Sequence, residues 1–177
     1  MKYIHILSNV TYGGGEQVLT TLVKDKPNQN FLYLLRKSNR IKKLDNIDNE
    51  SLFKSKDNYI SLIDHVKTFL YLLFIIIKIR VINHGKSSLV FHGFPCQYGL
   101  FLSRILFPKR KIYMIYHQVK NNHKGVFFFI RVIESFCVYL SNPIIGAPSF
   151  RSLISLKKYL LNLSFSKRLT FFEFKNC

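Results

Sequence analysis

The sequence of 177 residues predicts an α/β fold in which helices flank a parallel sheet. Short and almost uniformly apolar runs, such as residues 3–7 and 112–116, are typical of strands that are covered on both faces. Longer segments with one apolar face lie between them, and this alternation indicates βαβ units. A chain of this length builds one core but not two nucleotide-binding domains of ordinary size. We therefore predict a single domain over residues 1–177.

The first unit has the order strand, glycine loop, helix. Tyr3–Leu7 is apolar on both faces except at His5, which we assign to the core. The loop after this strand ends in three consecutive glycines, Gly13, Gly14 and Gly15. Because glycine lacks a Cβ, such a loop lets backbone N–H groups approach a phosphate at the start of the helix that Glu16 opens. The alternative is that the glycines only make the turn tight.

The remaining elements follow from apolar runs and the turn residues between them. We predict strands at Phe31–Leu35, Ser88–His92, Ile112–Tyr116, Ile144–Ala147 and Leu169–Phe174, and helices at about Leu62–Ile82, Gln97–Leu106, Val126–Leu140 and Ser149–Leu161. Residues 44–59 are predicted as a loop with at most one short element. The nine apolar residues Phe69–Ile77 are too few to span a membrane. We interpret them as part of a core helix, with insertion into a membrane interface as the alternative.

The charge is strongly positive and unevenly distributed. The chain carries 27 basic and 9 acidic side chains, and residues 101–177 hold 13 of the basic groups but only 2 of the acidic ones. Such a field favours anionic partners, including phospholipid, lipid-linked phosphate, nucleotide and nucleic acid. The aromatic residues lie within apolar runs and do not alternate with Lys and Arg, so nucleic acid is the less favoured partner.

The cysteines indicate a reducing compartment. Cys96, Cys137 and Cys177 are odd in number and lack metal-binding or redox spacing, so we predict free thiols and no metal site. A strand-like run directly follows Lys2, without the cleavage site of a signal peptide. We therefore expect a cytoplasmic protein.

Four motifs carry a resemblance to a known family. The first strand ends in Ser8-Asn9 and is followed by Gly13-Gly-Gly-Glu-Gln-Val-Leu19, which resembles the start of family-4-type glycosyltransferases of the GT-B architecture. Phe91-His-Gly93, Ile115-Tyr-His117 and Ile144-Ile-Gly-Ala-Pro-Ser149 resemble later motifs of that family, in the same order. The similarity spans about residues 2–160. It departs from the family where Ala-Pro148 precedes the serine, and where the usual Asn-Gly-Val/Ile-Asp sequence is absent after Phe174.

The resemblance implies a function. The family pairs two Rossmann-like domains and transfers a sugar from a nucleotide-sugar, a substrate and not a cofactor, to an acceptor such as a lipid-linked or polysaccharide chain in capsule or lipopolysaccharide synthesis. Its second domain holds the donor through two glutamates eight positions apart, and no two glutamates of this sequence have that spacing. The chain thus resembles an acceptor-side, N-terminal GT-B domain. We expect it to need a separate donor-binding subunit or domain and to be inactive alone.

The resemblance also assigns the site residues. It implies substrate contacts for Gly13–Gly15, Glu16 and His92, and a catalytic role for His117. The residues themselves add that both histidines end predicted parallel strands, where α/β sheets bind ligands. For either histidine, a purely structural role stays open.

A lipid-linked acceptor implies attachment to the inner face of a membrane. The expected contacts are the basic residues of one turn and one helix, Lys109, Arg110, Lys111, Arg151, Lys157 and Lys158. The alternative to the transferase hypothesis is a basic membrane-surface or nucleic-acid-binding protein without catalysis.

Overall fold

The structure, a computed structural model, describes residues 2–7, 14–35, 47–48, 62–82, 87–93, 96–116, 126–147, 149–161 and 169–173. The strands of this part of the chain are β1 (Tyr3–Leu7), β2 (Asn30–Leu34), β3 (Ile47–Asp48), β4 (Ser88–His92), β5 (Ile112–Ile115), β6 (Ile144–Ala147) and β7 (Thr170–Glu173). The helices are α1 (Gly14–Asp25), α2 (Leu62–Val81), α3 (Gln97–Leu106), α4 (Val126–Ser141) and α5 (Phe150–Leu161). The predicted α/β class is confirmed.

All seven strands belong to one parallel sheet of order β3-β2-β1-β4-β5-β6-β7. The chain builds outward from β1 to β3, crosses back to β4, and then builds outward in the other direction. The strand order therefore reverses between β1 and β4. In open α/β sheets this switch point is where ligands bind, beyond the carboxyl ends of the strands.

Alternating side chains of the strands form two cores on opposite faces of the sheet. Ile4 and Ile6 of β1 point into the larger core, which includes buried residues of α2, α3, α4 and α5. Leu7 belongs to a smaller core on the other face, with Leu32 and Leu34 of β2 and with Leu19 and Val23 of α1. His5 alternates with Ile4 and Ile6, so it lies on the α1 side.

In the larger core, α3 packs tightly on the sheet. Gly99 lies over β4 so closely that a Cβ built at this position would be 2.5 Å from Cε1 of Phe91 and 3.2 Å from Cδ2 of Leu72. A glycine at position 99 thus allows α3 to approach the sheet and fixes the position of its amino end.

Most predicted elements agree with the observed ones within two residues, which is the usual uncertainty of helix and strand ends. The predicted bounds of β4, α3 and β6 match the observed bounds. Two differences matter. The helix α1 begins at Gly14, two residues before the predicted start at Glu16, and β3 lies inside residues 44–59, which were predicted mainly as loop.

Candidate functional site

The carboxyl ends of β1 and β4 lie side by side at the switch point. Leu7, the last residue of β1, pairs with His92, the last residue of β4. The helix α1 begins at Gly14, seven residues after the end of β1. The region therefore combines a strand end, a histidine and the first helix to follow β1.

The predicted glycine loop is only partly a loop. Gly14 and Gly15 are the first two residues of α1, whereas Gly13 lies outside the described residues. The first N–H groups of a helix lack partners within it, and the helix dipole adds a partial positive charge at that end. Glu16 is the third residue of α1, and its side chain is outside the described part of the structure. A helix start has the general chemistry to bind an anion such as phosphate.

His92 is buried and bonded to a second histidine. Its Nε2 lies 3.0 Å from Nδ1 of His5, and the two ring centroids are 5.3 Å apart. The Nε2 of His5 lies 3.2 Å from Oδ1 of Asn30 in β2. The three side chains are at most 5% exposed. His5 is therefore a core residue, as predicted, and also the centre of a polar row that the sequence did not reveal.

The environment keeps His5 neutral. Burial lowers the pKa of His5 from 6.5 to about 4, while the hydrogen bond with Asn30 opposes that shift. At pH 7 one nitrogen of its ring carries a proton and the other accepts a hydrogen bond. Neutral imidazole is the form that serves as an acceptor or a base.

The chain turns sharply after His92. Gly93 has a φ of 69°, in the left-handed region that side chains other than glycine rarely adopt. Its N–H donates to the carbonyl oxygen of Ile115 at 3.0 Å, which ties the end of β4 to the end of β5. The backbone conformation at position 93 therefore explains the glycine of the His92-Gly93 motif.

The start of α3 adds polar groups that sequence reasoning missed. Nε2 of Gln97 donates to the hydroxyl of Tyr116 at 3.4 Å. Oε1 of Gln97 is buried and has no hydrogen-bond partner within the described segments. His117 directly follows Tyr116 but lies outside the described residues. Gln97 was recognisable only as the first residue of a helix after a strand-end turn, which is a weak signal.

A histidine and a tyrosine join α2 to α3 near the same edge. The hydroxyl of Tyr98 lies 2.9 Å from Nδ1 of His65, and the rings meet edge to face with centroids 5.9 Å apart. Both residues are buried. This contact gives His65 a structural role.

The predicted basic residues do not form one surface. Lys109 and Lys111 are exposed in the turn before β5, at the edge where the strands begin, whereas Arg151 is exposed in the first turn of α5, after the end of β6. Arg110 is half-buried, with its guanidinium carbon 4.0 Å from the ring centroid of Phe107.

Other basic groups also pack against rings or carbonyls. Nζ of Lys157 lies 5.3 Å from the ring centroid of Phe171, and the side chain of Lys158 is outside the described residues. Arg104 donates to the carbonyl oxygens of Ser141 at 2.7 Å and Pro108 at 2.9 Å, which joins α3, α4 and the turn before β5. Part of the positive charge therefore stabilises the fold.

Among the described residues, no three His, Cys, Asp or Glu side chains are grouped closely enough to hold a metal ion. In the same segments, no helix is both long and apolar enough to cross a membrane.

Known proteins resemble the chain in structure and not in sequence. No protein-family model matches it, and no curated protein matches it. TubZ from Clostridium botulinum phage c-st, with its C-terminal tail truncated, superposes with a TM-score of 0.56 at 10% identity, covering 82% of this chain and 51% of TubZ. UDP-N-acetylglucosamine 2-epimerase from Rickettsia bellii superposes with a TM-score of 0.52 at 14% identity, covering 98% of this chain and 44% of the epimerase.

The superposition with a third structure, MurG of Acinetobacter baumannii, covers 100% of this chain and 68% of MurG. The identity is 8% and the TM-score is 0.41, a similarity too weak to support an argument. The chain spans about half the length of TubZ and of the epimerase. At these identities the similarity defines the fold alone. The fold is Rossmann-like, and the epimerase that shares it has the GT-B architecture.

Proposed function

We propose that this chain is the acceptor-side domain of a family-4-type GT-B glycosyltransferase. It would take part in the transfer of a sugar from a nucleotide-sugar to a lipid-linked or polysaccharide acceptor during capsule or lipopolysaccharide synthesis. One observation carries the proposal. At the switch point of the parallel sheet, His92 at the end of β4 lies beside the end of β1, and β1 is the strand that leads into the glycine motif. The ordered sequence motifs support the same conclusion.

The proposal gives each site residue a role. Gly13, Gly14, Gly15 and Glu16 contact the bound substrates, and the backbone N–H groups at the start of α1 bind an anionic group of those substrates. His92 contacts a hydroxyl group of the acceptor. His117 acts as the base. In the reaction an acceptor hydroxyl oxygen forms a bond to the anomeric carbon of the donor sugar, the bond from that carbon to the phosphate oxygen breaks, and the hydroxyl proton passes to His117.

The nucleotide part of the donor would be bound outside this domain. A second domain, in the same polypeptide or in a partner subunit, would supply the donor site, and residues 1–177 alone would not transfer sugar. The fold similarity to about half of the epimerase supports this division, since the shared part is Rossmann-like.

Gene replacement in the host tests the proposal. Deletion of the gene should remove or shorten a surface polysaccharide in a gel of extracted glycans, and the unaltered gene should restore it. Genes that encode His92→Ala or His117→Ala should fail to restore it while the variant proteins accumulate to normal levels. A surface polysaccharide that is unchanged by the deletion would contradict the proposed function.

We also propose that the domain attaches to the cytoplasmic, inner face of an anionic membrane. The main support is the exposed side of α2. This side is apolar, and so is the buried side of the same helix. Six of its exposed residues fall within about 80° of the helix circumference and extend over about 27 Å. We call them the α2 stripe: Ile63, Val66, Leu70, Phe74, Ile77 and Val81. The apolar run Phe69–Ile77 was interpreted as part of a core helix, with insertion into a membrane interface as the alternative. Both interpretations keep support, because one side of the run packs in the core and the other side is exposed.

Neighbouring groups favour lipid as the occupant of this surface. Lys67 and Lys78 lie beside the α2 stripe at helical spacing, and an apolar stripe bordered by lysines suits an anionic lipid interface. The helix α4, on the same side of the sheet, also exposes apolar residues, namely Val132, Ile133, Phe136 and Leu140. A second copy of a chain with net charge +18 would be repelled.

A further inference from the structure

Three buried polar side chains form a row across the centre of the sheet. Asn30 of β2, His5 of β1 and His92 of β4 are joined by contacts of 3.2 Å and 3.0 Å. Asn30 pairs with Tyr3 at the start of β1, and His92 pairs with Leu7 at its end. The row therefore runs diagonally from the amino edge of the sheet to the carboxyl edge, where the proposed ligand binds.

The direction of these hydrogen bonds is set at the Asn30 end. Nδ2 of Asn30 donates to the carbonyl oxygen of Lys26 at 3.1 Å. Because a carbonyl oxygen only accepts, the amide of Asn30 must place its nitrogen there and direct Oδ1 towards His5. Oδ1 also only accepts, so Nε2 of His5 carries the proton. The neutral ring of His5 then accepts through Nδ1, and Nε2 of His92 must donate to it.

The opposite direction is unfavourable. It would require the amide of Asn30 to turn over, so that Oδ1 faced the oxygen of Lys26 and two acceptors met. A buried polar group without a partner is strongly disfavoured. The low pKa of His5, about 4, agrees with a neutral ring between two hydrogen bonds. The backbone of one turn thus determines which nitrogen of His92 is protonated, two side chains away.

We propose that Asn30 and His5 are positioning residues that hold the ring of His92 in its Nε2–H form. The place of His92 in a glycosyl-transfer site rests on the proposed function, whereas the orientation of the hydrogen bonds does not.

Nuclear magnetic resonance of the full chain with ¹⁵N-labelled histidine tests the orientation without any ligand. Long-range ¹H–¹⁵N spectra at pH 7.5 should identify Nε2 of both His5 and His92 as protonated and Nδ1 of His5 as an acceptor. In Asn30→Leu the constraint is removed, and the His92 signals should move towards a mixture of the two tautomers.

The outcomes separate positioning from a merely structural role. A merely structural role for Asn30 predicts that Asn30→Leu lowers stability and leaves the His92 tautomer unchanged. Protonated Nδ1 and unprotonated Nε2 of His92 in the unaltered chain would overturn the proposal, and this result does not depend on whether the variant folds. Because no ligand is present, such a failure would leave the proposed glycosyl transfer untouched.

Discussion

His5 and His92 lie on neighbouring strands with Nδ1 of the first ring 3.0 Å from Nε2 of the second. A positive charge on both rings at once is disfavoured, because the rings are close together and buried. The pKa of about 4 for His5 has a consequence for stability, because the same side chain in the unfolded chain has a pKa of 6.5. Between these values the unfolded state binds a proton that the folded state does not.

The stability of the fold should therefore fall as the pH falls from about 6.5 to about 4. The described groups that contact the His5 ring are Asn30, His92 and Tyr3. The difference between these two pKa values corresponds to about 3 kcal/mol of stability, present above pH 6.5 and lost towards pH 4. Urea unfolding at a series of pH values measures it.

His5→Phe should flatten this part of the pH profile, whereas Tyr3→Phe, a change of one hydroxyl on the same strand, should leave it in place. A profile for His5→Phe parallel to that of the unaltered protein would show that another group causes the pH dependence.

Gly14→Val should abolish ligand binding at the switch point with little effect on folding. Gly14 is the first residue of α1, where a side chain would obstruct the approach of a ligand to the backbone. We expect the free energy of unfolding to change by no more than about 1 kcal/mol. Restoration of the surface polysaccharide and thermal unfolding are the two measurements.

Leu22→Val is the matched control, since it introduces the same side chain on an exposed position of α1. It should restore the polysaccharide fully. Equal activity of Gly14→Val and Leu22→Val would remove the glycines from the site.

Gly146→Ala should destabilise the protein because of one neighbouring ring. A Cβ at position 146 would lie 2.6 Å from Cζ of Phe172 and 2.9 Å from Cδ1 of Ile115. Overpacking of this kind costs about 1–3 kcal/mol. Phe172→Val removes the ring, so the double variant should lose about 1 kcal/mol less than the sum of the single losses. Additive losses in urea unfolding would mean that β7 does not pack on β6 in this way.

Binding to anionic vesicles should depend on the α2 stripe. In liposome sedimentation, Leu70→Ser with Phe74→Ser should weaken binding about tenfold or more, because each apolar side chain withdrawn from water contributes on the order of 1.5–3 kcal/mol. Lys157→Glu and higher salt should weaken it further. Leu22→Ser, an exposed apolar position on the other face of the sheet, is the matched control and should bind normally.

Unchanged sedimentation of the α2 variant would exclude the α2 stripe as the contact. Stronger binding of the unaltered chain to RNA or DNA than to anionic vesicles would favour the nucleic-acid alternative.

The sequence predicted most elements because their apolar patterns are local. The central strands β1 and β4 and the helix α3 were predicted within one residue of their observed bounds. His5 was correctly assigned to the core, but its contacts with His92 and Asn30 depend on which strands are neighbours and in what register. Sequence separations of 87 and 25 residues make such contacts invisible to periodicity.

The pattern of α2 was similarly ambiguous. A run such as Phe69–Ile77 that is apolar all round predicts a buried helix, but does not reveal which side remains exposed. In the structure Leu72 and Ile76 are buried, whereas Leu70 and Phe74 are more than half exposed. Only the packing of α2 on the sheet distinguishes these two sides.

The most direct test of the central claim is a map of ligand contacts on the isolated chain. The chain, with backbone ¹⁵N label, would be titrated in detergent micelles with a polyprenyl-phosphate-linked sugar, and amide shifts would be followed. The proposal predicts shifts grouped at Gly14, Gly15, His92 and Gly93, and weaker effects from a nucleotide-sugar. Shifts confined to the opposite edge of the sheet, near Lys109, or a response to the nucleotide-sugar alone would contradict an acceptor-side role.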